Sequence, residues 1–428
     1  MIVTHEYRIY PSLDQTEVMD TWLELLRRHW NYALGERLDY LSRTRESINR
    51  CSLVSEPIGE IPSRVDYYSQ QAAIKETKRL FPEYKGIYTE TQQGNLRRLD
   101  KAWKKWMVPD ATGKRGGKPR FKKVGKLRSF IFPRVNCSKA GAHVIGNKLK
   151  LSKIGEMRIN LHRPFPDGFT PKTCTIIKKA DGWYASIVLK DASVPEILPL
   201  DEVKTAVGID VGLKELAVTS DGEMFPIQQF YRMGQKRLAR AQRKLSRKQK
   251  RSKNYLKQLN KVQRLHQKVQ RQRKEQHYKV AHQLVKQYDF IAVENLNIRG
   301  LAKTRLSKSI LDAGWGQLLT IVEAVAVKRG SHFVKVRPHG TSQDCSGCGT
   351  KVPKDLSVRL HQCPHCGLEM DRDENAAINI RERALSEVGL ILPACGGLDN
   401  SQPVKQETSS WDGIQLSLNE ALGIAHSA

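Results

Sequence analysis

Acidic side chains are scarce in this chain. Asp and Glu number 44 against 73 Lys and Arg, a formal net charge of +29 over 428 residues. A field of one sign says little about fold but points to polyanionic partners. Long apolar runs are also missing. No stretch of 18 or more apolar residues occurs, so no transmembrane helix is expected. With neither a lipidation signal nor an amphipathic anchor, an anionic membrane is a poor partner. The opening MIVTHEYRIY alternates apolar and polar residues and lacks the apolar core of a signal peptide. A disulfide framework is missing too: of eight cysteines, Cys51, Cys137, Cys174 and Cys395 are scattered and the rest form two CxxC pairs. That usage fits a reducing compartment and one metal site. There are no internal repeats. The 39% of hydrophobic residues is enough for real cores and excludes a disordered chain. The length suits two to four domains, and nucleic acid is the expected partner.

What is present changes character along the chain. Residues 2–10 read as a strand. Helical periodicity follows over about 14–50, 66–80 and 89–107. The last of these sets Leu96, Leu99, Trp103 and Trp106 on one face and five cations on the rest. Trp30, Trp103, Trp106 and Tyr88 are read as core, with base stacking as the alternative. GKRGGKPRFKKVGKL (113–127) is glycine-rich and basic, a boundary or a loop that tracks phosphates, with Arg120, Lys122 and Lys123 as contacts. Five short β-rich runs over 128–190 suggest a small barrel. Residues 191–203 read as a linker. From 204 the order strand, strand, long helical insertion, strand, helix, strand is an α/β layout. The insertion, about 230–285, has Glu275 as its sole acid over 237–276. A surface kept only for solubility mixes signs, so Arg240, Arg243, Lys244, Arg247, Lys248 and Arg251 are candidate nucleic-acid contacts. The Ser/Gln/Asn-rich tail is expected to be loosely ordered.

Cys345-x-x-Cys348 and Cys363-x-x-Cys366, separated by 14 residues, match a closed four-cysteine structural zinc site. A redox CxxC would not need a second copy. His361 and His365 are read as non-ligands. Three acids stand out within the cationic chain. Asp210 ends the apolar strand AVGID, Glu294 ends FIAVE, and DRDENAAINI opens a helix with Asp371 and Asp373. A charge at the close of a buried strand is costly unless something compensates it, and converging carboxylates hold Mg²⁺ or Mn²⁺ for phosphodiester hydrolysis. Individually, each could instead be a cap or an ion-pair partner.

GIDVGLKELAVTSDG, the basic helices, AVENLNIRGL, TSQDCSGCG and CPHCGLEMDRDENAAINI together resemble the TnpB family of transposon-encoded RNA-guided nucleases, related to compact type V CRISPR effectors. The likeness covers roughly residues 2–395. It implies a multi-domain α+β and α/β fold: a first wedge strand (1–10), a helical recognition lobe (11–117), a small β-barrel wedge domain (118–203), a RuvC/RNase H-like nuclease domain with a basic helical hairpin (204–340), an inserted zinc ribbon that binds target nucleic acid (341–369), the end of the nuclease domain (370–395) and a flexible tail (396–428). It also implies Asp210, Glu294 and Asp373, rather than Asp371, as the catalytic and Mg²⁺-binding acids. Guide RNA from the transposon end and double-stranded DNA are the implied partners, with cutting beside a short flanking motif. A monomeric ribonucleoprotein in a prokaryotic cytoplasm, near the nucleoid, is expected. An RNA-guided binder without cleavage and an RNase H-fold transposase are the alternatives. All three acids are present, which disfavours the first. The zinc insertion and barrel disfavour the second.

Overall fold

The computed structural model describes residues 2–45, 64–191, 197–355 and 358–391. Cys51, Cys395, the end of the first expected helix, part of the 191–203 linker and the tail from 392 lie outside the described residues.

β1 (Ile2–Tyr10) alternates as an amphipathic strand should, burying His5, Tyr7 and Ile9. Four helices follow: α1 (Leu13–Arg45), α2 (Tyr67–Ala72), α3 (Ile74–Leu80) and α4 (Thr89–Met107). The helical periodicity has a direct outcome: Trp30, Leu34, Ile74, Leu96 and Leu99 form one core. Inside this unit Arg37 is 1% exposed, held by Asp100 and Gln70, each at 3.0 Å.

The chain then builds β2 (Ser129–Phe132), β3 (Ala142–Ile145), β4 (Lys148–Leu151), β5 (Gly155–Asn160), β6 (Thr170–Lys179) and β7 (Gly182–Lys190). With β1 they form a seven-stranded sheet in the order β2-β6-β7-β1-β5-β4-β3. Its two edges nearly meet. Val135, just past β2, bridges to Ala142 of β3, and the Asn136 amide bonds the Val144 backbone in both directions. The outcome is a near-barrel. Met19, Trp22 and Leu26 of α1 fill it together with Phe130, Phe132, Ile176 and Ile187.

A second sheet follows. It starts with β8 (Ala206–Asp210), β9 (Glu215–Thr219) and β10 (Met224–Pro226) as an antiparallel meander, β10 being absent from the sequence reading. Two long basic helices come next, α5 (Phe230–Ser246) and α6 (Lys253–Gln287). Then come β11 (Phe290–Glu294), α7 (Ile298–Leu301), α8 (Ser307–Ala313), α9 (Trp315–Arg329), β12 (His332–Val336), the small hairpin β13 (Leu360–Gln362) and β14 (Glu369–Asp371), and α10 (Arg372–Val388). The sheet order is β10-β9-β8-β11-β12, with β8, β11 and β12 parallel. Strands buried on both faces read as continuous apolar runs, which is why AVGID and FIAVE carry almost no polar residues. One face packs on α6 and α9 through Val280, Leu284, Leu318 and Val322. The other packs on α10 through Ile380, Ala384 and Leu385.

One described stretch, Ser307–Arg329, is long and apolar enough to cross a membrane by length and composition. It holds no uninterrupted apolar run of such length, because Lys308, Asp312 and Glu323 fall within it. It is two helices broken at left-handed Gly314 (φ 71°), and its apolar face serves the core just described. Midway along, α6 touches the barrel through polar groups at a single turn. Arg271 pairs with Asp181 at 2.8 Å, Gln267 donates to the same carboxylate at 2.7 Å, and Arg264 donates to the Ala180 carbonyl at 3.1 Å.

Candidate functional site

β8 and β11 are neighbouring parallel strands in register, Ile209 opposite Val293. Their last residues, Asp210 and Glu294, therefore lie side by side at the C-terminal ends of two inner strands, roughly one strand spacing (~4.8 Å) apart between backbones. The third acid arrives from the opposite layer. Helix α10 crosses β8 at very close range, over Gly208. A Cβ there would stand 1.9 Å from the Ala377 carbonyl oxygen and 2.6 Å from the Arg381 amide nitrogen. This approach sets the first turn of α10, with Asp373 buried at 8% exposure, against the strand ends.

The electrostatics register the crowding. Burial, then the negative charges of Glu294 and Asp373, push the Asp210 carboxyl up to about 8, against the opposing pull of Arg372 and the Val211 N–H. Cations already attend part of the cluster: Arg372 lies 3.0 Å and Arg359 3.2 Å from Asp373. Glu294 accepts a hydrogen bond from the Thr341 hydroxyl. Asp371 has a different task. It is the N-cap of α10, accepting from the Asp373 N–H at 2.8 Å. Three carboxylates from three elements thus come near enough to act on one another's charge, though among the described residues only the four cysteines bring their ligand atoms within 4.8 Å of one another.

The four cysteines also converge. Their sulfurs all lie within 4.8 Å of one another, and the pairs Cys345–Cys366 and Cys348–Cys363 are each 3.6 Å apart. A zinc tetrahedron with bonds of about 2.3 Å has sulfur–sulfur edges of about 3.8 Å, so the donor set fits. The hydroxyl and N–H of Thr350 bring the Cys348 thiol down to about 6, while crowding by the other three thiols contributes to pushing Cys366 up to about 12. His361 is buried with its Nδ1 on Lys354 Nζ, and His365 is exposed; neither belongs to the cluster.

The predicted cationic contacts are on the surface but in separate places. Arg240, Arg243 and Lys244 project from α5, and Arg247, Lys248 and Arg251 from its turn into α6, all exposed. Arg120 and Lys123 are exposed on a strand-like segment that α1 pins by its backbone: Trp30 donates to the Arg120 carbonyl at 3.2 Å, and Asn31 accepts from the Lys122 N–H at 2.7 Å. Lys122 is half-buried over the Trp30 ring at 4.9 Å. Of the four aromatics read as core, Trp30 lies in one, Trp103 and Tyr88 are half-buried against one, and Trp106 is half-buried outside the core clusters. Trp30 is buried, Tyr88 stacks on Phe132, and Trp103 meets Trp106 edge-on. A basic cleft of about 400 Å³ between α1, β6–β7 and α6, with Arg128, Lys178 and Lys179 in its lining, was not foreseen. Nor were Gly208, Thr341 and Arg359. Of these, only Gly208 left a trace in the sequence, as a glycine inside an apolar strand.

A family model described as a "probable transposase" matches residues 190–305. A Cas12f1-like TNB domain matches 315–380, and a helix-turn-helix domain matches 1–46; over 2–45 the structure holds one strand and one long helix. A Streptomyces pristinaespiralis protein named as an RNA-guided DNA endonuclease is 31% identical over 414 residues, spanning 94% of this chain and 92% of its own length. A similarly named Escherichia coli protein is 32% identical, with 74% and 78% covered. This chain belongs to the TnpB family. A more distant TnpB-like protein of Acanthamoeba polyphaga mimivirus is 23% identical, with 89% of this chain and 72% of that protein aligned. Among solved structures, a Cas12f1–sgRNA–target DNA complex aligns with 89% of this chain and 98% of its own at 14% identity and a TM-score of 0.46. Within the TnpB family signature, the crowded acids and the four sulfurs fall in the matched C-terminal half.

Proposed function

We propose that this TnpB-family chain is an RNA-guided, metal-dependent DNA endonuclease with a single cutting site at Asp210, Glu294 and Asp373. The observation that carries the reading is the crowding itself: a carboxyl pushed up to about 8 by burial and two neighbouring carboxylates. Such an arrangement is unfavourable, Arg372 and Arg359 offset it only in part, and a bound cation would favour all three ionised carboxylates. These acids would hold Mg²⁺ or Mn²⁺, which when bound activates water and supports the leaving oxygen. The protein's own part is geometric. Two strand ends and a helix start fix three carboxylates on rigid elements, and the exposed cations of α5 and its turn draw in the phosphate backbone. A binder without cleavage has no use for this crowding.

The charge of +29 suits a chain that grips both a guide RNA and a duplex being opened. The relatives' names support the same reading. We assign the helices of 11–117 to a recognition lobe, 1–10 with 118–203 to the wedge, 204–340 with 370–395 to the RuvC-like nuclease, and 341–369 to the zinc ribbon. The active form is proposed to be a monomeric ribonucleoprotein in the prokaryotic cytoplasm, its RNA drawn from the transposon end. Its test is to sequence the RNA that copurifies with the full chain, reprogram it, and add Mg²⁺ with target duplexes carrying randomised flanks. Cleavage beside one short flanking motif is expected; intact DNA across the whole library overturns the proposal.

Zinc in the four-cysteine cluster is part of the proposal. The β13–β14 hairpin of the ribbon runs straight into Asp371 and Asp373, so Cys363→Ser is expected to release the metal and lower cleavage by about 10- to 100-fold. Elemental analysis by plasma mass spectrometry beside a cleavage time course checks this. Full activity without zinc would remove the ribbon from the catalytic architecture.

A further inference from the structure

Nothing in the reading above explains the two asparagines of DRDENAAINI. Asn375 is fully buried, at 0% exposure. Its side-chain oxygen accepts from the Ser346 N–H at 2.9 Å, inside the first cysteine knuckle, and its amide donates to the Asp344 carbonyl at 2.9 Å. Asn379, one turn on and on the same helix face, donates to the Asp344 carbonyl at 2.7 Å and to the Thr341 carbonyl at 2.8 Å. Thr341, 3% exposed, sends its hydroxyl to the Glu294 carboxylate. The bonds form an unbroken path: knuckle backbone, α10, residue 341, second acid.

We propose that Thr341, Asn375 and Asn379 are positioning residues that hold Glu294 in place against Asp373, using the first cysteine knuckle as their anchor. The inference rests on the acids being a divalent-metal site. The geometry does two things at once. The asparagines lock segment 341–346 onto the same helix that carries Asp373, so the backbone that orients Glu294 and the helix that presents Asp373 cannot drift independently. The Thr341 hydroxyl donates to Oε1 of Glu294 and so fixes that oxygen, leaving Oε2 outside this bond. A buried hydroxyl on a metal-binding carboxylate orients it and sharpens the site's affinity. Valine has nearly the shape of threonine but cannot donate, whereas serine can.

The test measures Mn²⁺ binding to the full chain by the loss of free-ion paramagnetic resonance signal, with zinc content and melting temperature read on the same samples. Thr341→Val is expected to weaken Mn²⁺ binding about tenfold, with zinc retained, while Thr341→Ser stays within about twofold of the parent. Asn375→Ala is expected to weaken it as well; should that variant fail to fold, the threonine pair carries the test. Asp210→Asn serves as the control. If it leaves Mn²⁺ binding unchanged, the metal site itself is refuted and the relay with it. If it abolishes binding while Thr341→Val binds like the parent, or if serine loses as much as valine, the acids stand and the relay alone is overturned.

Discussion

Asp210→Asn is expected to fold, to keep its nucleic-acid affinity and to cleave at least roughly a thousandfold more slowly, a loss of several kcal/mol of metal-dependent transition-state stabilisation. It is also expected to stabilise the metal-free protein, which is the less obvious half. The Asp210 carboxyl is raised from 3.8 to about 8 in the folded chain, by burial first and then by Glu294 and Asp373. Below pH 4 the proton is bound in both folded and unfolded chains. Between pH 4 and 8 only the folded chain holds it, so the stability tied to this group is fully present at low pH and is lost steadily until about pH 8. The decline is on the order of a few kcal/mol. Asparagine has no proton to lose, so its stability has no such slope. Melting curves in chelator should show the variant pulling ahead of the parent from pH 4 to 8 and holding a constant lead above that. Adding Mg²⁺ should restore the parent and leave the variant unmoved. A parent-minus-variant difference that stays flat over that window would mean that the three carboxylates do not crowd one another in solution; the difference is the readout because buried His29 and His277, both lowered to about 4, tilt the parent and the variant alike in the opposite sense.

Gly208→Ala is the second large effect, and it touches no titratable group. The added methyl would meet the Ala377 carbonyl oxygen at 1.9 Å and the Arg381 nitrogen at 2.6 Å. Both are backbone atoms of α10, so no rotamer change can make room; the helix has to move off the strand. A loss of about 3 kcal/mol is expected from forcing apart a packed core. The helix carries Asp373, so a displacement of even about 1 Å at the site is expected to lower cleavage by about 100-fold in chain that remains folded. Urea melts and cleavage at low temperature separate the two. Gly35→Ala is the matched control. A Cβ at that position in α1 meets nothing within 4 Å, and exchanging a helical glycine for alanine stabilises by about 1 kcal/mol or less.

Gly208 also shows where legibility in the sequence stops. The strands, the helices and the terminal acids could be read because each leaves a local signature: an apolar run, a 3.6-residue period, a charge where a buried strand closes. The four cysteines could be read because metal-ligand spacing is local within each knuckle. The missing parts are contacts between segments far apart in sequence. Nothing local links Thr341 to Glu294, or Asn375 to the backbone of Ser346, and a glycine in a strand does not announce which helix lies above it. The small strand β10 (three residues) is too short to produce a pattern. The near-closure of the barrel rests on one bridge and one asparagine side chain, a long-range coincidence of register. The choice between Asp371 and Asp373 followed from family likeness alone: Asp371 caps the helix start, and Asp373 is paired with Arg359 and Arg372.

Helix α6 has 35 residues and so runs for roughly 50 Å. Its C-terminal turns are embedded in the apolar core of the second sheet, but its grip on the barrel is a handful of polar bonds to the 180–184 turn. The two attachments respond to different variables. The apolar end is indifferent to ionic strength, whereas an exposed guanidinium–carboxylate contact weakens as the Debye length shrinks. The helix is thus a rod welded at one end and pinned at its middle by charge. Salt, or a polyanion competing for Arg264 and Arg271, therefore acts on the polar contact with the barrel and not on the apolar packing of the helix.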